Sequence, residues 1–274
     1  VNDIGRLAIH ITCNDIASNG VQPLGIMLAV MLPEGTTEDD VAYIMGQAGE
    51  TAAELSVEII GGHTEITPAV KQPVIVSTAI GKAAAGSSQT GDDMIPGDYI
   101  MMTKSVGLEG SGIIACDYGS ELEDVMTDEE IRTAKSFLDR VSVVREGVAA
   151  GSVGTHGMHD ITEGGILGAV WEMCQISHSG AEVWKEKIPA EPETLKICDR
   201  FGINPLRLIS SGSMVIIVPA DKKDDMTAAM EAAGVSCSII GTVKEESFGV
   251  KMSVDGVLED IDPPYADEIY KVVG

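Results

Sequence analysis

The stretch that most limits how this chain can fold is residues 153–176, VGTHGMHDITEGGILGAVWEMCQI. A polar turn runs into Gly164 and Gly165 and then into a helix whose apolar face carries Ile166, Leu167, Val170, Trp171 and Cys174. A helix greasy on one face must lie on another layer, so the rest of the chain has to supply one. Thr162 is placed to cap the first turn, and Glu163 suits its positive end. Two glycines there let a ligand approach the backbone, and free N–H groups at a helix start favour an anion. Asp160 adds a carboxylate able to hold a hard cation. The same residues also suit an ordinary capped core helix after a turn.

The layer is visible on both sides of this stretch. A helix starting at Asn2 or Asp3 carries Ile4, Leu7, Ala8 and Ile11 on one face and stops at Gly20. Residues 24–32 read as a buried strand, Thr36 with Asp39 as a capping box, and the following helix runs to about Leu55. Short strands follow at 57–60, which exits into Gly61-Gly62-His63-Thr64-Glu65, and at 73–81. Residues 83–97, small and polar with Gly and Pro at intervals, are the expected linker. Beyond it come strands at 98–103, 181–184, 214–218, 236–243 and 247–254, with helices at 127–140, 141–150, 192–202 and 221–233. Gly107-Leu108-Glu109-Gly110-Ser111-Gly112 opens a further helix after a strand, as phosphate loops do, without the spacing of a dinucleotide fingerprint. Strands alternating with helices give an α/β (α+β) fold, expected as domains at 1–85 and 95–274.

Charge narrows the partners. The chain carries a formal charge of −25, which argues against nucleic acid and anionic membrane surfaces. A phosphate ligand would need backbone amides and divalent cations. Five cysteines, widely spaced with no CxxC pair, read as reduced thiols of a cytoplasmic protein. The chain opens on Val1 and enters a helix at once, which reads as the interior of a longer protein.

Several of these stretches together carry a resemblance. Asn14-Asp15-Ile16-Ala17, followed by Gly20 and Pro23, resembles the NDxxxxGxxP signature of the AIR synthetase superfamily. Gly61-Gly62-His63-Thr64-Glu65 stands where its members carry GGxT. Gly97-Asp98 with Gly107-x-Glu109-Gly110 resembles the start of their C-terminal domain. His159-Asp160-Ile161-Thr162-Glu163-Gly164-Gly165 matches the DxTxGG loop, and 206–218 resembles that domain's closing strand. The wording GGHTEITP and MHDITEGGI is similar to the HypE-like branch.

The resemblance implies a two-domain fold whose N-terminal domain pairs into a dimeric β-barrel, with a C-terminal α/β domain. It implies ATP between the domains and Mg²⁺ on Asp15 and Asp160, with nucleotide contacts from Asn14, Gly61, Gly62, Thr64, Gly107, Gly110, Thr162, Gly164 and Gly165. His63 and Glu65 are the candidate general acid/base pair. The chemistry implied is phosphoryl transfer onto a carbonyl-type oxygen of a small molecule or carrier protein, as in hydrogenase maturation. Members of the branch also carry a segment ahead of the position of Val1, an arginine at the position of Glu163 in many cases, and a terminal cysteine, whereas this chain ends at Gly274. A second reading is therefore a homodimeric scaffold or ATP-binding protein without catalysis. A third is a zinc site built from His63, His156 and His159 with Glu65 or Asp160.

Overall fold

The computed structural model describes residues 3–273. Its first half is built on a ten-residue apolar strand, β1 (Pro23–Leu32), flanked by β2 (Glu58–Ile66), parallel to it, and β3 (Val74–Gly81), antiparallel. Alternation along β1 turns Ile26, Leu28, Val30 and Leu32 toward helices α1 (Ile4–Ala17) and α2 (Glu38–Glu54), where they are buried. The opposite face stays open, and among the described residues no sheet closes into a barrel. Asp3 is the N-cap of α1 without a side-chain hydrogen bond, and Asn2 lies outside the described residues. The capping box of α2 is Thr37 with Asp40, one residue later than the pattern suggests. The hydroxyl of Thr36 donates to the carbonyl of Pro33, closing the preceding turn, and Thr37 takes the extended cap conformation instead.

Residues 61–65 are not a loop leaving a strand. They are the body of β2, paired with Met27–Met31 of β1. Gly62 is required by that pairing, since a Cβ there would lie 1.9 Å from the carbonyl oxygen of Leu28.

The second half holds a seven-stranded sheet in the order β10-β9-β6-β8-β4-β7-β5. In chain order these are β4 (Tyr99–Thr103), β5 (Gly157–Asp160), β6 (Gly180–Trp184), β7 (Met214–Val218), β8 (Cys237–Lys244), β9 (Val250–Val254) and β10 (Val257–Asp260). Its central strands are apolar on both faces. Ile100, Met102, Val215 and Ile217 meet α6 (Gly165–Ser177), while Met101, Met214, Ile216 and Val218 face α5 (Val144–Val153) and α8 (Lys223–Ala232). This second face is continuous with the core around Ile26 and Leu28, so α1 and α5 form a packed seam between the sheets. A third cluster joins α3 (Leu108–Asp117), α4 (Asp128–Lys135) and α7 (Pro192–Phe201), and a short α9 (Tyr270–Val273) ends the described chain.

Three local features depart from the sequence pattern. The helix expected over 127–140 gives way at Ser136 to a 3₁₀ turn. The next helix starts at Val144 rather than 141, because the buried Asn14 side chain donates to the carbonyl of Val141 and accepts from the amide of Val143. The exposed strand β10 forms a hairpin with β9, turned by Asp255 and Gly256, both at positive φ. No helix among the described residues is long and apolar enough to cross a membrane.

Candidate functional site

The site grows from the seam. The last turn of α1 carries Asp15, Ser18 caps its end, and β5 ends on Asp160, 145 positions beyond Asp15. The Ser18 hydroxyl donates to Asp160 Oδ1 at 3.3 Å, tying the two elements together. Asp160 is 5% exposed, and its Oδ2 has no hydrogen-bond partner. Burial pushes the Asp160 carboxyl above its ordinary range. Asp15 is raised to about 6, first by desolvation and then by the charge of Asp160. His159 counters in part, its Nδ1 on the carbonyl of Asp160 and its Nε2 3.2 Å from Glu172.

Glu109, in the first turn of α3, joins this group. It is 4% exposed, and its Oε2 also lacks a partner. Burial raises its pKa, the charges of Asp267 and Asp160 add to that, and hydrogen bonding by Ser211 draws it back. Asp15, Glu109 and Asp160 thus come from three separate segments. Two of them keep buried carboxylate oxygens with nothing bonded to them, an arrangement that costs free energy unless a cation or proton offsets it.

The helix start at Gly164-Gly165 is arranged differently from its sequence reading. The N-cap of α6 is Gly164 in the left-handed region, not Thr162. Thr162 contributes its backbone carbonyl to the amide of Gly165. The Gly164 amide donates to Asp267 Oδ2 at 2.7 Å, while the other oxygen of Asp267 accepts from the amides of Ile209 and Ile269. An anion therefore does sit at this helix start, and it belongs to the chain itself. Protein packs closely against both glycines: a Cβ on Gly165 would lie 2.5 Å from the carbonyl oxygen of Leu206, and one on Gly164 would lie 3.3 Å from Pro264. Glu163 accepts from the hydroxyl of Tyr270 at 2.8 Å.

Other residues singled out by sequence are distributed as follows. Asn14 is fully buried with both ends of its amide bonded to the 141–143 loop, so its side chain is a joint of the seam. At the Gly107 loop, the amides of Leu108 and Gly110 are bonded by Ser210 and Ile209, and Leu208 packs where a Gly110 side chain would be. His63 and Glu65 lie opposite Ala29 and Met31 on the open face of the three-stranded sheet, 3.5 Å from each other and well exposed. Gly61, Gly62 and Thr64 belong to the same strand. The histidines do not converge. His156 pairs with Asp98 at 2.7 Å and His159 with Glu172, and among the described residues no three His, Cys, Asp or Glu side chains form a metal cluster. The sequence motifs do not mark Glu109 and Asp267 as site residues. The signal for Glu109 was an acid in the first turn of a glycine-opened helix; for Asp267 no sequence signal existed.

Two domains, joined through an acid-lined seam at α1 and α5, define a class that direct comparison identifies. Residues 1–83 match the description "AIR synthase related protein, N-terminal domain", and residues 96–253 match its C-terminal domain. The chain belongs to the AIR synthase related family. Within it, a putative hydrogenase expression/formation protein of Methanocaldococcus jannaschii is 30% identical over 98% of this chain and 79% of its own length. The carbamoyl dehydratase HypE of Rhizobium leguminosarum bv. viciae is 32% identical over 91% of this chain and 71% of its own. Among solved structures, hydrogenase maturation protein HypE in complex with ATP superposes with a TM-score of 0.83 at 25% identity, covering 97% of this chain and 80% of that one. A thiamine monophosphate kinase from Aquifex aeolicus shares the fold, with a TM-score of 0.75 at 18% identity over 94% and 82% of the two chains.

Proposed function

We propose that this protein is an ATP-dependent enzyme of the HypE-like branch, transferring the γ-phosphoryl group of ATP to a carbonyl-type oxygen. The carrying observation is Asp160: buried, with one oxygen unpartnered, beside Asp15 across the seam. The relatives named carbamoyl dehydratase and the ATP-bound neighbour support the reading.

The residues fit a hard divalent cation such as Mg²⁺. Asp15 and Asp160 would hold it; Glu109, whose carboxyl feels the charge of Asp160, is a further acid with an unpartnered oxygen. Since no three acidic side chains form a closed cluster among the described residues, phosphate oxygens would complete its shell. Bound there, the cation would offset phosphate charge in a chain of −25. The protein's own part is positional. The Ser18 hydroxyl fixes one Asp160 oxygen and leaves the other free. Asn14 sets the seam, and packing around Glu109 keeps water away from it.

The second reading, an ATP-binding scaffold, keeps the same carboxylates without turnover. The open face of the three-stranded sheet, where Met27, Ile60, Val76 and Ile80 are each 43–54% exposed, supports a homodimer under either reading. The test is Mg²⁺-dependent ATP hydrolysis beside calorimetric ATP binding, with Asp160→Asn as control. Hydrolysis lost in the variant supports the enzyme. Binding without hydrolysis in the parent protein supports the scaffold, and neither activity overturns both.

A further inference from the structure

On a different side of α1 lies a cavity of about 590 Å³ that none of Asp15, Glu109 or Asp160 lines. It is bounded by the C-terminal end of α2 and the N-terminal end of α5, with His10 of α1 between them. The two ends have opposite polarity. At the α2 end, the helix dipole is negative and Glu54 adds a carboxylate. At the α5 end, the dipole is positive and Arg145 adds a guanidinium. Among the described residues neither Glu54 nor Arg145 has an ion-pair partner. The other charges of the lining are already matched: Lys104 with Glu146 at 2.6 Å, Arg140 with Glu191 at 2.8 Å, and Asp139 with Arg6.

His10 gives the independent sign of a ligand. It lines the cavity, is only 6% exposed, and its Nδ1 has no hydrogen-bond partner. Such an orphaned buried nitrogen costs free energy unless something polar reaches it. Burial, with Arg6 and Lys104 nearby, brings its pKa down to about 4, so the imidazole is neutral and can bond a ligand without adding charge.

From this juxtaposition we propose that the cavity binds a small zwitterion, its carboxylate at Arg145 and the start of α5, its ammonium at Glu54 and the end of α2. A simple anion would leave Glu54 and the negative end of α2 unanswered. A simple cation would leave Arg145 and the positive end of α5 unanswered.

The test is a calorimetric titration of the full chain with ω-amino acids from glycine to 6-aminohexanoate, used as a ruler, beside butyrate, butylammonium and inorganic phosphate. The His10 imidazole resonance is followed by NMR. The expected result is an optimum chain length, with a shifted His10 signal and with both single-charge analogues roughly tenfold weaker or worse. Arg145→Ala and Glu54→Ala, both exposed and outside the candidate active site, should each weaken the best ligand by a similar factor while ATP hydrolysis is unchanged. Butyrate or phosphate binding as well as the best amino acid would overturn the proposal, as would no binding up to about 10 mM or a Glu54→Ala variant that binds normally.

Discussion

Two regions carry motif residues of equal prominence in the sequence, and the fold treats them in opposite ways. At the seam, Asp15, Glu109 and Asp160 arrive from separate elements, and two of them keep buried, unbonded oxygens. On the open face of the three-stranded sheet, His63 and Glu65 lie flat, exposed and paired with each other. Convergence and desolvation distinguish the two. A carboxylate removed from water with no partner is held at a cost that a ligand can offset, while an exposed pair on a sheet is already satisfied by solvent. Under the function proposed above, the GGHTE strand is accordingly assigned to association and the seam to chemistry.

The sharpest way to break this contrast is to mutate both regions. Asp160→Asn should lower Mg²⁺-dependent ATP hydrolysis by roughly 10²–10³-fold, with the fold unchanged by circular dichroism. His63→Ala with Glu65→Ala should leave hydrolysis within about threefold, a change under 1 kcal/mol. Comparable losses in both would erase the distinction. Next, Met27→Glu with Val76→Glu on the open face should convert a dimer to a monomer in light scattering, and an unchanged mass would remove the association reading.

Stability gives smaller effects. Asp267→Ala strips the charged acceptor from three backbone amides and should cost about 3 kcal/mol, read in urea unfolding. A loss under about 1 kcal/mol would mean that water replaces the carboxylate there.

Asp15 offers a pH signature. The folded chain holds its proton more tightly than the unfolded chain does, with a pKa of about 6 against 3.8. The ionised group therefore opposes folding increasingly as pH rises through that window, and by a constant amount above it. In EDTA, Asp15→Asn should melt higher than the parent near neutral pH, with the advantage fading toward pH 4. Mg²⁺ should reverse the sign, since it binds the ionised form, and its affinity should fall as pH drops below about 6. A melting difference that ignores pH would contradict a raised carboxylate. The smallest effect belongs to Thr37→Ala, which removes the α2 cap and should cost about 1 kcal/mol.

Much of this was legible before any coordinates. Strands with apolar runs and helices with one greasy face announced themselves, because burial imposes periodicity on neighbouring residues. That is why 24–32, 98–103 and 214–218 read correctly as strands. The strand Gly157–Asp160 did not, since Gly-Met-His-Asp has no such period and is a strand only because β7 pairs with it. The exposed β10 failed to announce itself for the same reason: its partner β9, not its own sequence, makes it a strand. At the site, Asp15 and Asp160 were named from their motifs, but the motif of Asn14, Gly164 and Gly165 concealed what occupies them.

The sequence by itself determined the layered α/β class, the order of its main elements, the acidic character that points to cations, and the family. Tertiary structure alone decided which polar groups remain available. Asn14 is closed off by a loop some 127 residues away and the Gly164 amide by Asp267, 103 residues away, while Asp160 and Glu109 keep an oxygen each without a partner. The reason is physical: periodicity is a local property of the chain, but whether a buried hydrogen-bonding group is satisfied depends on which distant segment packs against it.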